Sequence, residues 1–247
     1  MSLSDRVLNF SREFPSAHMN VDLLRKVYRM HGIKKKKYRW NKQPKNQDAA
    51  EANNWLTKMK RQLAKAKRDG YRVVFLDETF FTRNKVPELE WALPKENVTI
   101  DPAKNVEPCL CMLAAISKDK GLEHYRIFEK SVNIKKFKEW ATELRAKNGE
   151  DKIAFFMDNL STHTSPKAKK IMSELGFRQI YNVPYSPDYN PIELTFSKCK
   201  QKFRALRAQK LVGLRQESHE ALARMAWESL KKKDIVNCIK HVENLLK

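Results

Sequence analysis

The sequence predicts an α/β fold, a mixed β-sheet flanked by helices. Three observations predict it. Two apolar runs, within residues 71–81 and 152–158, read as buried strands, and each ends near an aspartate. After residue 70 the strand-like segments come first and then alternate with helical ones. The chain has 247 residues, of which 41% are hydrophobic and 10% aromatic. That is enough to bury a full core, and it excludes a disordered chain.

Residues 1–69 read as a basic helical arm. After Asn20, the segment VDLLRKVYRMHG places Val21, Leu24 and Val27 on one stripe, and Gly32 terminates it. A second helix is expected from about Asp48 to Lys67, with Trp55, Leu56, Met59 and Leu63 at helical spacing. Residues 70–247 read as the main domain. YRVVFLDETFF is a buried strand ending near Asp77, ELEWALPK a loop or short strands, and EPCLCMLAAIS and EHYRIFEKS two more strands. Asn133 caps the helix IKKFKEWATELRAKNG, which Gly149 closes. KIAFFMD is the next buried strand. Ser165 and Pro166 open a helix that Gly176 ends, FRQIYNV is a short strand, and PYSPDYNP is a proline-stiffened loop. A long basic helix starts near Pro191, and two further helices complete the chain.

Charge points to the partner. The formal net charge is +21, from 50 Lys and Arg against 29 Asp and Glu, which favours a polyanion. Nucleic acid fits better than an anionic membrane, and no apolar run is long enough to cross a bilayer. Between Arg25 and Arg39 stand eight Lys or Arg and no acid. Lys34, Lys35, Lys36, Lys37 and Arg39 in that run are candidate DNA contacts, and so are Lys198 and Lys202, expected to flank the entrance of the active site. A Gly-rich phosphate loop is excluded, since only six glycines occur and no GxGxxG pattern exists. Cys109 and Cys111 alternate on a strand and make a poor chelating pair, so a structural zinc is not expected.

The candidate catalytic residues are acidic. Asp77 and Asp158 each finish an apolar strand, where sites gather in α/β sheets. Glu193 stands in the first turn of the basic helix, after prolines 184, 187 and 191 restrict the approach. Taken singly, each has an ordinary structural use as a turn, cap or helix-dipole residue. Converging, they would repel unless cations neutralise them. Hard oxygen donors suit Mg²⁺, with Mn²⁺ as substitute, and two such ions can serve phosphoryl transfer.

The segments VVFLDETFF, FFMDNLSTH and VPYSPDYNPIE resemble those of the mariner-like transposase superfamily, including its bacterial insertion-sequence relatives. The last is the most specific, with Tyr189 where leucine is usual. The resemblance is clear over residues 70–210 and weak over 20–70. It implies a ribonuclease H-like fold with a mixed five-stranded sheet, Asp77 on the first strand, Asp158 just after the fourth and Glu193 on a helix packed against the sheet. It implies that all three are metal ligands. Glu78, Asn159 and His163 also match family-typical residues and are expected to brace the ligands or position DNA. The spacing of Asn159 and His163 would allow one helical face.

The implied activity is metal-dependent DNA transposition. Water attacks a phosphodiester at each transposon end, and the freed 3′-hydroxyl attacks target DNA. The implied partners are double-stranded DNA, as transposon ends and as target, and a second copy of the chain. The expected location is the nucleus, or the cytoplasm of a bacterium. The arm is shorter than the two helix-turn-helix units usual in the family, which suggests a partial copy that binds DNA well but selects it poorly. The alternatives are a structure-specific endonuclease of the same metal chemistry, and a catalytically idle DNA-binding protein derived from a transposase.

Overall fold

The computed structural model describes residues 3–33, 49–82, 108–211 and 214–246. The chain forms two compact units, Met1–Lys45 and Asn46–Lys247. In the first, α1 spans Leu3–Glu13 and α2 spans Val21–Met30. The Asn20 side chain accepts the Leu23 N–H at 2.8 Å, the N-cap that begins α2, and Leu24 is its buried residue. The basic run at Lys34, Lys35, Lys36, Lys37 and Arg39 lies outside the described residues, as does ELEWALPK.

The second unit opens with α3, Ala49–Arg68, followed by β1, Arg72–Phe81. β2 (Leu110–Ser117) and β3 (Gly121–Glu129) form the antiparallel part of the sheet. Then come α4 (Ile134–Asn148), β4 (Ile153–Met157), α5 (Ser161–Thr164), α6 (Pro166–Glu174) and β5 (Arg178–Tyr181). Three helices finish the chain: α7, Pro191–Leu211; α8, His219–Glu228; and α9, Lys232–Leu245. The five-stranded sheet has the order β3-β2-β1-β4-β5, with β1, β4 and β5 mutually parallel.

Both faces of the sheet are covered. Phe75, Met112, Ala114, Phe156 and Ile180 pack with Met59 of α3, Phe196 and Phe203 of α7, Trp227 of α8 and Ile239 of α9. The alternate residues Val74, Leu76, Leu113, Phe155 and Met157 pack with Phe137, Trp140 and Leu144 of α4 and Met172 of α6. Burial on both faces explains why β1 and β4 read as continuous apolar runs instead of alternating ones.

The helix α3 stands in the sheet unit, Asn46–Lys247, and not in the first unit. Met59 is 1% exposed inside the core, and full burial of such a side chain stabilises by about 1.5–3 kcal/mol. Against expectation, the first strand does not end near Asp77. The antiparallel ladder to β2 continues to Phe81↔Leu110, while the parallel ladder to β4 runs only as far as Phe75↔Phe156.

Candidate active site

The site lies where the β1–β4 pairing gives out. Continued by two residues, the register Phe75↔Phe156 sets Asp158 beside Asp77. Asp77 is 7% exposed, and the pleat turns it toward α7. Its Oδ1 accepts the Glu78 N–H at 2.7 Å, and its Oδ2 accepts the Asn190 side-chain amide at 3.3 Å. Asn190 precedes the first turn of α7, where Glu193 is the third residue and donates its N–H to the Asn190 carbonyl at 3.1 Å. Asp77, Asp158 and Glu193 line one pocket of about 420 Å³, together with Leu160, Asn182, Tyr185 and Asn190.

The electrostatics agree with this convergence. Burial raises the pKa of Asp77, and the negative charges of Asp158 and Glu193 raise it further, to about 7. The Glu78 N–H and His163 pull the other way without prevailing. A divalent cation would relieve this repulsion, and the donor set is all hard oxygen, so the residues fit Mg²⁺ or Mn²⁺. Among the described residues, no three His, Cys, Asp or Glu side chains are already drawn together as a metal cage. The carboxylates face a shared cavity.

The sequence profile described as DDE superfamily endonuclease matches residues 72–215, more than half of the chain. The chain belongs to the DDE superfamily of endonucleases. Among solved structures it is similar to the Mos1 strand transfer complex, at 15% identity and a TM-score of 0.62, covering 100% of this chain and 76% of that one. The Mos1 mariner paired end complex with Mn matches at 15% identity and a TM-score of 0.61, over 98% of this chain and 76% of that one. The catalytic domain of Mos1 mariner transposase matches at 14% identity and a TM-score of 0.53, over 82% of this chain and 93% of that one. At these identities the likeness is one of fold, the ribonuclease H-like sheet expected from the sequence. No curated protein sequence matches the chain.

In this member of the DDE superfamily the second aspartate is braced from beneath. Asp158 follows β4 directly, and its Oδ1 accepts from His163 Nδ1 at 2.8 Å and from the Leu160 N–H at 3.3 Å. Burial alone would lower the pKa of His163, but Asp158 and Glu78 outweigh it and raise it to about 9. The imidazolium therefore carries a proton on both nitrogens at neutral pH. Its Nε2 lies 3.7 Å from Glu78 Oε1, close enough for attraction but beyond a hydrogen bond. Glu78 points to the opposite face of the sheet from Asp77, as the pleat demands, and its Oε2 accepts the Cys111 thiol at 3.6 Å.

Asn159 has a different task. It lies ahead of α5, so it does not share a helical face with His163, contrary to the spacing argument. Its side chain donates to the Asn182 carbonyl at 2.6 Å, tying the end of β4 to the loop after β5. Asn182 in turn donates to the Ser186 carbonyl at 2.7 Å and accepts the Val183 N–H at 2.8 Å. These bonds hold Tyr185 at the pocket rim in a left-handed backbone conformation, φ 55°, unusual for a bulky residue.

Part of the basic helix α7 is engaged within the protein. Lys198 and Lys202 do not line the pocket. Lys198 reaches Asp234 of α9 at 3.3 Å, and Lys202 is exposed. Arg207 is buried, with Nη1 2.8 Å from His219 Nδ1. Asn190 and Asn182 were missed from the sequence. The available signal was position: each is an amide adjoining the proline-stiffened segment that leads to Glu193.

Proposed function

We propose that this chain is a divalent-metal-dependent DNA transposase, cutting at transposon ends and joining them to target DNA. The observation that carries the reading is the single pocket shared by Asp77, Asp158 and Glu193, with the Asp77 carboxyl pushed to about 7 by burial and then by the charges of Asp158 and Glu193. Asp77, Asp158 and Glu193 would hold Mg²⁺ or Mn²⁺, which when bound supplies Lewis-acid activation of the attacking oxygen and stabilisation of the leaving one. Mos1 structures with Mn and with Mg, and one named as a strand transfer complex, support this choice of metal and substrate.

The chain's own residues prepare the site. Protonated His163 fixes the Asp158 carboxylate through Nδ1 and offsets its charge. Asn190 fixes Asp77 and couples it to the start of α7. In the first reaction water adds to phosphorus and the P–O3′ bond breaks, leaving a 3′-hydroxyl and a 5′-phosphate. In the second, that 3′-hydroxyl attacks a target phosphodiester, so one bond is exchanged for another and no outside energy source is needed. Two copies of the chain acting on paired ends, in the nucleus, complete the proposal.

The test is incubation of the purified chain with labelled DNA ends and Mn²⁺ or Mg²⁺, scored for nicking and strand transfer. Both products should appear with metal, vanish with chelator, and vanish in Asp158→Ala while DNA binding persists. Cleavage that survives Asp158→Ala would remove that residue from the ligand set.

A further inference from the structure

A second charged concavity lies away from the carboxylates, between α3 and the edge strand β5. Arg61, Lys65 and Arg68 of α3 line it with Arg178 and Gln179 of β5, around a volume of about 550 Å³. Arg61, Lys65 and Arg68 recur at i, i+4 and i+7, so one flank of the helix presents all three. All three are exposed, and their cationic groups have no acidic partner among the described residues. One carboxylate stands nearby. Asp69 pairs with Arg178 at 2.7 Å and leaves the other three charges unbalanced. Its own pKa is held below the ordinary carboxylate value, chiefly by that hydrogen bond and further by the charges of Arg178, Lys65 and Arg68.

Position gives the groove its meaning. β5 begins at Arg178 and runs into Asn182 and Val183, which line the carboxylate pocket. Four residues of strand span about 13 Å. Duplex DNA rises ~3.4 Å per base pair, so this is about four base pairs along the helix axis. The groove has several cations and no aromatic residue in its lining, which suits a phosphate backbone better than unstacked bases.

We infer that the α3–β5 groove is a second DNA-contact surface, gripping the phosphate backbone of a duplex about four base pairs from the phosphate held at the carboxylate pocket. The inference rests on the DNA-cutting reading above. Arg61, Lys65 and Arg68 fix the register of the duplex on the protein and read no bases.

The test compares three forms of the full chain on a short labelled duplex in chelator, by anisotropy over a range of KCl. They are wild type, the triple variant Arg61→Gln, Lys65→Gln, Arg68→Gln, and the control Lys135→Gln, Lys138→Gln, Lys167→Gln. The control removes the same charge from exposed positions on α4 and α6, which cover the other face of the sheet. The groove variant should lower the slope of log affinity against log salt by roughly 2.7 units, about 0.9 for each phosphate that the protein no longer neutralises. The control should leave it nearly unchanged. Equal slopes in the two variants would overturn the inference, since the effect would then be one of bulk charge, and so would wild-type preference for single-stranded RNA over the duplex. If wild type bound no duplex at all, the DNA-cutting reading itself would fail. A second measurement covers misfolding. Neutral methylphosphonates three to five base pairs from the mapped cut should weaken wild type yet add nothing in the groove variant, and uniform weakening of both forms counts against the groove.

Discussion

His163 Nδ1 lies 2.8 Å from Asp158 Oδ1, on a ring that is 1% exposed. A charged ring buried beneath an aspartate that lines the pocket has little purpose unless it aims that carboxylate. His163→Ala would leave the half-buried Glu78 without this cation, and Asp158, among the described residues, held only by the Leu160 N–H. We expect metal affinity or cleavage rate to fall about 10- to 100-fold, the usual result of removing a group that orients a ligand. Thermal or urea unfolding should show a loss of about 1.5–3 kcal/mol, the range for a hydrogen bond to a charged group. Full activity in His163→Ala would reduce the ring to a packing residue.

Asn190 supports the other aspartate. Its Nδ2 donates to Asp77 Oδ2 at 3.3 Å and lies 3.4 Å from the Leu76 carbonyl. Asn190→Ala should raise the Mn²⁺ concentration needed for half-maximal cleavage about tenfold, in line with other groups that support ligands. Asn190→Asp should do worse, because it replaces a donor by a fourth negative charge. A metal titration that is the same for wild type and both variants would show that Asn190 serves only the backbone.

The two shifted groups give a pH dependence of one sign. The folded pKa of Asp77 is raised from 3.8 to about 7, so between those values the folded protein holds a proton that the unfolded chain has lost. That stability is present below about pH 4 and disappears as pH rises through 7. His163 is raised from 6.5 to about 9, so its contribution is full below 6.5 and lost through 9. Metal-free protein should therefore melt at lower temperature as pH rises from about 5 to about 9, and Asp77→Asn should flatten the lower half of that slope. Added Mn²⁺ should raise the melting temperature more in mildly alkaline than in mildly acidic buffer, since it competes with the Asp77 proton. Equal stabilisation at both would contradict the shift.

The placement of α3 can be checked by stability alone. Met59 is 1% exposed within the sheet unit. Met59→Ala should cost about 2–5 kcal/mol in urea unfolding, as large-to-small core changes do. A change below about half a kcal/mol, as at ordinary surface positions, would return α3 to a detached arm.

The elements legible in the sequence were those specified by near neighbours. The cap of α4 is Asn133 accepting the Lys136 N–H at 3.0 Å, and the cap of α6 is Ser165 accepting the Ala168 N–H at 3.2 Å. Both interactions span three residues, so the local sequence carries them entire. The end of β1 was not legible, because a strand stops where its partners stop, and β2 lies about thirty residues further on across the undescribed segment. Likewise nothing within α7 announces that Lys198 pairs with Asp234, thirty-six positions away.

For the site the division is similar. The sequence by itself determined the three carboxylates and the basic character of the chain, since the residue types, their flanking apolar runs and the proline-stiffened approach to Glu193 are all local. Tertiary structure alone decided that Asn190 steadies Asp77, that His163 is buried and charged beneath Asp158, and that Arg61, Lys65, Arg68 and Arg178 share a groove. The reason is physical. A pKa or a hydrogen-bond partner depends on what surrounds a side chain in space, and folding brings together residues that the chain keeps far apart, as with Asp77 and Asn190 at 113 positions.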